Sequence, residues 1–131
     1  MQRGQWMLLA GDVILLVVLA IIGFLSHGQS PLTPRLLVTF GSFLLAWLWV
    51  AVPLGLFYLP EPNHVGRWVA RIVWAWSLAA PLGALIRAWW LGRMAPLPFV
   101  LVTFGLYALT FAIWRALVSL RWNRRQALMP R

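Results

Sequence analysis

Apolar residues run through this chain in four long blocks separated by three short polar breaks. The blocks are roughly Trp6–Leu25, Leu36–Leu59, Trp68–Trp90 and Leu97–Leu120. A bilayer core of about 30 Å is crossed by about 20 helical residues, and each block is long enough. The breaks have loop chemistry. Ser26–Arg35 contains HGQSPLTPR, Pro60–Gly66 reads PEPNHVG, and Leu91–Pro96 reads LGRMAP. Proline and glycine at such positions end helices. The pattern predicts an all-α, polytopic membrane protein: four transmembrane helices in a small bundle, forming a single membrane domain over residues 1–131. Pro53 and Pro81 fall inside the second and third blocks. Each removes a helical hydrogen bond, so kinks are expected there.

Composition sharpens this. The chain is 63% hydrophobic and only 10% charged. A soluble surface needs far more charge. The first block, flanked by Arg3, has the look of a secretion signal, but Asp12 interrupts it and no small-residue cleavage pattern follows. It is therefore expected to remain as a span. There is no cysteine, which rules out disulfides, thiolate catalysis and thiolate metal sites.

All eleven basic residues are arginine, and the net charge is +9. They are scattered between spans and form no continuous patch, so nucleic acid is not the expected partner. Anionic lipid headgroups are, although a codon bias toward arginine accounts for the count as well. Arg3, Arg67, Arg71, Arg121, Arg124, Arg125 and Arg131 fall on one side of a four-span topology. Arg35 and Arg93 fall on the other, with Arg87 just inside it. The positive-inside rule then places both termini in the cytoplasm, in a multi-pass protein of the inner (cytoplasmic) membrane.

Tryptophan follows the same layout. Trp6, Trp68, Trp114 and Trp122 mark one interface, and Trp89 and Trp90 the other. Trp47, Trp49, Trp74 and Trp76 lie deeper. They either fill gaps between helices and face acyl chains, or line an aromatic groove for a flat ligand such as a pigment or quinone.

The chain has only two acidic residues, Asp12 and Glu61. Glu61 lies in a loop. Asp12 lies within the first span, where a carboxylate is costly and by default a functional candidate. It sits about 9 Å below the cytoplasmic interface, at about 1.5 Å per residue beyond Trp6. Arg115, five residues before Leu120, lies about 7–8 Å below the same interface. On the fourth span Gly105, Ala108, Ala112 and Arg115 form one small-residue face, the kind that packs closely against another helix. Asp12 and Arg115 are thus expected to form an intramembrane ion pair. A structural clamp is the plainer role for it, and a proton relay or substrate contact the sharper one.

Arg87 ends a second small-residue face, Ala75, Ala79 and Gly83. His27 and Thr103 match it in depth. An inward arginine beside these groups is a candidate anion or ligand site; reaching loop carbonyls or lipid phosphate is its plainer role. His27 and His64 fall on opposite faces and have no partner at ligand spacing, so no metal site is expected. No catalytic motif, phosphate loop or second carboxylate near Asp12 is present, and no enzyme activity is expected.

Several short motifs recur in a known order. Gly11-Asp12 lies in the first span and Ser26-His27-Gly28 just after it. FLLAW spans Phe43–Trp47, and Gly83 is followed by Arg87 and Gly92. PFV spans Pro98–Val100, and Trp114-Arg115 comes last. In these the chain resembles a four-span bacterial and archaeal membrane family known as domain of unknown function 3054, over roughly Leu8 to Leu117. It departs at Phe24, where arginine often stands, and at Ala46, where glycine is usual. The resemblance implies a four-helix membrane fold and no particular activity.

The sequence therefore points to a small structural or accessory subunit packing within a larger membrane complex, beside lipid and other membrane subunits. No cofactor is required, while bound lipid, a pigment or a quinone would suit the surfaces. The alternative is a small transporter or channel for an anion or similar solute, using Arg87 and the Asp12–Arg115 pair.

Overall fold

The computed structural model describes residues 3–26, 34–58, 62–93 and 97–128. Four helices carry the chain: α1 (Arg3–Ser26), α2 (Pro34–Ala51), α3 (Val65–Leu91) and α4 (Leu97–Leu128), with a short 3-10 turn at Pro62–His64 before α3. All four are long and apolar enough to cross a membrane. The protein is a multi-pass membrane protein with an all-helical fold.

The helices close a ring. α1 packs on α2 and α4, α2 on α3, and α3 on α4. The α2–α3 and α3–α4 seams are the extensive ones, and α1 is the lightly held member. Each helix turns one stripe inward. On α1 the buried positions are Gly4, Leu8, Asp12, Leu16, Leu19, Ala20 and Phe24. Their spacing of three and four residues is the signature of one helical face. On α3 the stripe is rich in small residues, with Ala75, Ala79, Ala80, Gly83 and Ala84 all buried. Small side chains let membrane helices approach closely. At Gly83 the approach is complete: a Cβ there would fall against the ring of Phe43 on α2.

Aromatic rings fill the middle. Trp47 and Trp76 stack with centroids 5.0 Å apart and planes 5° from parallel. Phe111 meets both edge-on, at 5.1 and 4.9 Å. Tyr107 meets the edge of Trp76 at 5.1 Å and Phe43 at 5.3 Å. These spacings lie in the favourable range for aromatic pairs.

Two span boundaries differ from the sequence expectation. α4 runs two turns beyond Leu120, carrying Arg121, Arg124 and Arg125 on its end. The second block does not stay helical to Leu59. α2 stops at Ala51, and residues 52–57 form successive turns. Pro53 is the cause: it cannot donate to the helical ladder, and it disfavours helical geometry at the residue before it. Gly55 then takes a positive φ of 69°, which glycine adopts without steric cost. The turns return the chain inward, so Leu56 and Phe57 are buried. Pro81 behaves differently. α3 runs through it without interruption and ends at Gly92, whose N–H caps the Ala88 carbonyl at 2.8 Å.

The small-residue face expected on α4 holds only in part. Ala108 and Arg115 are buried and Ala112 is half-buried, but Gly105 is exposed with open space around it.

Candidate functional site

Two polar centres lie inside the bundle. The first is toward the end of the bundle where α1 begins and α4 ends. Asp12 and Arg115 meet there, with Arg115 Nη2 donating to Asp12 Oδ2 at 2.5 Å and Arg115 Nε to Oδ1 at 3.2 Å. Both side chains are fully buried. The pairing is bidentate, the strong form of an arginine–carboxylate contact.

Two further donors complete the carboxylate. Trp47 Nε1 donates to Oδ2 at 2.9 Å, and Trp114 Nε1 to Oδ1 at 3.0 Å. A carboxylate has about four acceptor positions, and four N–H groups from α2 and α4 fill them. Arg115 is equally enclosed. Its Nη1 donates to the Leu56 carbonyl. Its guanidinium carbon lies 5.0 Å from the Phe57 ring centroid, 5.3 Å from Trp68 and 5.8 Å from Trp47. These are cation–π distances.

This centre draws on every helix. Asp12 comes from α1, Trp47 from α2, Trp68 from α3, and Trp114 with Arg115 from α4. The broken end of α2 supplies the Leu56 carbonyl. A carbonyl inside an unbroken helix is taken by the ladder; the turn at Pro53 frees this one for Arg115. Non-helical backbone at membrane depth needs such a partner. The neighbouring Leu54 carbonyl is likewise met by Arg71.

Gly11 explains how Trp114 reaches Asp12. A Cβ at position 11 would fall inside the Trp114 ring. The indole therefore lies directly on the α1 backbone. The adjacent pairs Gly11-Asp12 and Trp114-Arg115 are two halves of one latch: glycine receives the ring, and aspartate receives the indole N–H and the guanidinium. Depth matching in the sequence paired Asp12 with Arg115. It carried no sign that Trp47, Trp114 or the Leu56 carbonyl would join them.

The second centre is at the opposite end. A cavity of about 590 Å³ opens among all four helices, lined by Arg35, Thr39, Arg87, Arg93, Thr103 and Tyr107 together with apolar side chains. Arg87 is half-buried and donates from Nε to Thr39 Oγ1 at 2.9 Å. Its guanidinium carbon stands 5.4 Å from the Phe99 ring centroid. Thr103 lines the same cavity, as expected from its depth, and His27 lies outside the described residues. Thr39 joins the site although it does not stand out in the sequence, and Phe99 joins it from the PFV motif, which carries no sign of a contact with Arg87. Among the described residues no carboxylate lines the cavity.

The four deep tryptophans do not share a groove. Trp47 and Trp76 are fully buried and stacked in the core, whereas Trp49 and Trp74 are 74% and 73% exposed on the outer surface. The reason is helical phase. Residues two apart on a helix point about 200° apart and cannot line one wall. Among the described residues no cluster of three metal-ligating side chains occurs.

A family model described as "Protein of unknown function (DUF3054)" matches residues 9–118. The match covers most of the chain, which therefore belongs to that family. No curated protein and no solved structure matches it.

Proposed function

We propose that this DUF3054 member is a non-catalytic structural or accessory subunit that packs within a larger assembly in the cytoplasmic membrane, with both termini cytoplasmic. One observation carries the reading. The intramembrane carboxylate that would be the natural chemical group has all its acceptor positions filled by internal donors and is shut from solvent. A catalytic or relaying acid needs a free face toward substrate or water. Asp12 instead ties α1 to α2 and α4.

The outer surface supports the second half of the proposal. It is apolar and aromatic, with Trp49, Trp74, Trp89 and Trp90 all exposed. Such a surface suits packing against lipid and neighbouring membrane subunits. The stacked and edge-on rings of Trp47, Trp76, Phe111 and Tyr107 fill the middle of the bundle with the chain's own side chains, which supports a subunit that holds lipid at its surfaces and needs no cofactor in its core.

Purification of the native-level protein in mild detergent, followed by mass measurement of the intact particle, tests this reading. The expected result is a particle larger than one chain that contains a second membrane protein. A clean, stable monomer without a partner overturns it.

The cavity at the Arg87 end favours a second reading, a small anion transporter. Beneath that cavity, however, lie the packed rings of Trp47, Trp76, Tyr107 and Phe111. Anion flux into liposomes that falls on Arg87→Gln would favour transport; flux no greater than that of empty liposomes would eliminate it.

A further inference from the structure

We infer that the cavity between the Arg87 end of the four helices is a binding site for the anionic headgroup of a membrane amphiphile, a phosphate or carboxylate, whose apolar chain leaves along the seam between α1 and α4. The inference is independent of the accessory-subunit reading.

Charge comes first. Arg35, Arg87 and Arg93 converge on one cavity whose lining holds no acidic side chain. Asp12, the one acidic side chain among the described residues, is held in the latch at the other end. Three guanidiniums without a counter-ion repel one another and favour an anion between them. Arg87 is placed for this. Its Nε is fixed on Thr39 Oγ1 at 2.9 Å and its carbon lies against the Phe99 ring, which sets the plane of the group. Among the described residues no hydrogen bond takes up its two Nη groups. A planar fork held in this way matches two oxygens of a phosphate or carboxylate. Thr39 and Thr103 add hydroxyls to the lining.

Shape comes second. The remaining walls are apolar: Leu19, Ala20, Gly23 and Phe24 from α1, and Val102 and Leu106 from α4. Gly23 has open space where a side chain would stand. Val102 lines the cavity yet is 68% exposed, so the cavity reaches the bundle surface on the α4 side. α1 is the lightly packed helix, and the α1–α4 seam is its thinnest contact. A free inorganic anion would have no use for this apolar slot. A charged headgroup with a chain attached matches both parts. The volume of about 590 Å³ suits a headgroup and the first part of a chain.

The test is native mass spectrometry of the full chain, released from nanodiscs containing equal phosphatidylglycerol and phosphatidylcholine. A parallel arm adds inorganic phosphate to lipid-stripped protein. The expected result is retention of phosphatidylglycerol over phosphatidylcholine, reduced about tenfold in Arg87→Gln, the loss of a charge-assisted contact. Gly23→Leu should reduce it comparably. That variant leaves every arginine in place and adds its side chain to empty space, so it separates loss of the slot from loss of the fold. Arg125→Gln, on the far end of α4, should retain lipid like the parent. Equal retention of the two lipids, or retention unchanged in both Arg87→Gln and Gly23→Leu, overturns the proposal. Saturable binding of inorganic phosphate without lipid retention overturns it in favour of a free-anion site.

Discussion

The indole of Trp114 occupies the space that a side chain at position 11 would fill, and its N–H reaches the neighbouring Asp12 at 3.0 Å. One glycine thus admits both the ring and the hydrogen bond. Gly11→Ala should push the ring away and break that bond. Overpacking of this kind costs about 1–3 kcal/mol. Thermal unfolding in detergent should show a lower midpoint for Gly11→Ala. A double variant, Gly11→Ala with Trp114→Ala, should lose less than the two single changes summed, because the smaller side chain at 114 removes the clash.

The Asp12–Arg115 pair should behave as one unit. Breaking a buried pair leaves an uncompensated charge and costs about 3–5 kcal/mol. Asp12→Asn and Arg115→Gln should each unfold at markedly lower temperature than the parent. The double variant should be more stable than the sum of the single losses implies, since neither charge is then stranded. Strict additivity across this cycle would show that the two side chains do not depend on one another.

Trp47 acts both as core ring and as donor. Trp47→Phe keeps a ring against Trp76 and Phe111 but removes the 2.9 Å donor to Asp12. Leaving a buried acceptor short of its partner costs about 1–3 kcal/mol. Trp49→Phe, on the exposed face, should change stability by less than about 0.5 kcal/mol. Equal effects at the two positions would contradict the burial difference between them.

The turn after α2 depends on Gly55, at a φ of 69°. A side chain there is strained by about 1–2 kcal/mol. Gly55→Ala should therefore loosen the segment that carries the Leu54 and Leu56 carbonyls to Arg71 and Arg115. Hydrogen exchange of residues 52–57 should quicken in that variant, while the centre of α3 keeps its protection.

Much of this was legible in the residues, and particular cases show why. Depth and the small-residue face that carries Arg115 pair it with Asp12, because helical rise converts residue number into height in a membrane and small residues mark a packing face. Arg87 and Thr103 were matched in the same way. Height says nothing about rotation about the helix axis or about what a neighbour contributes. For that reason depth groups Trp47, Trp76, Trp49 and Trp74 together, yet the first two face the core and the other two face outward. Likewise Thr39 gives no signal and the PFV motif does not say what Phe99 touches, since a threonine and a phenylalanine acquire this role only from the arginine placed beside them.

The amino-acid sequence by itself determined the four long apolar helices and the pairing of Asp12 with Arg115. These follow from length, hydropathy and helical rise, which act locally along the chain. Tertiary structure alone decided the rest. It brought two indoles and a backbone carbonyl to the Asp12–Arg115 pair, ended α2 early so that the carbonyl was free, and left three arginines around a cavity without a carboxylate. Those relations depend on how the helices are rotated and how closely they approach, and both are set by packing between segments distant in sequence.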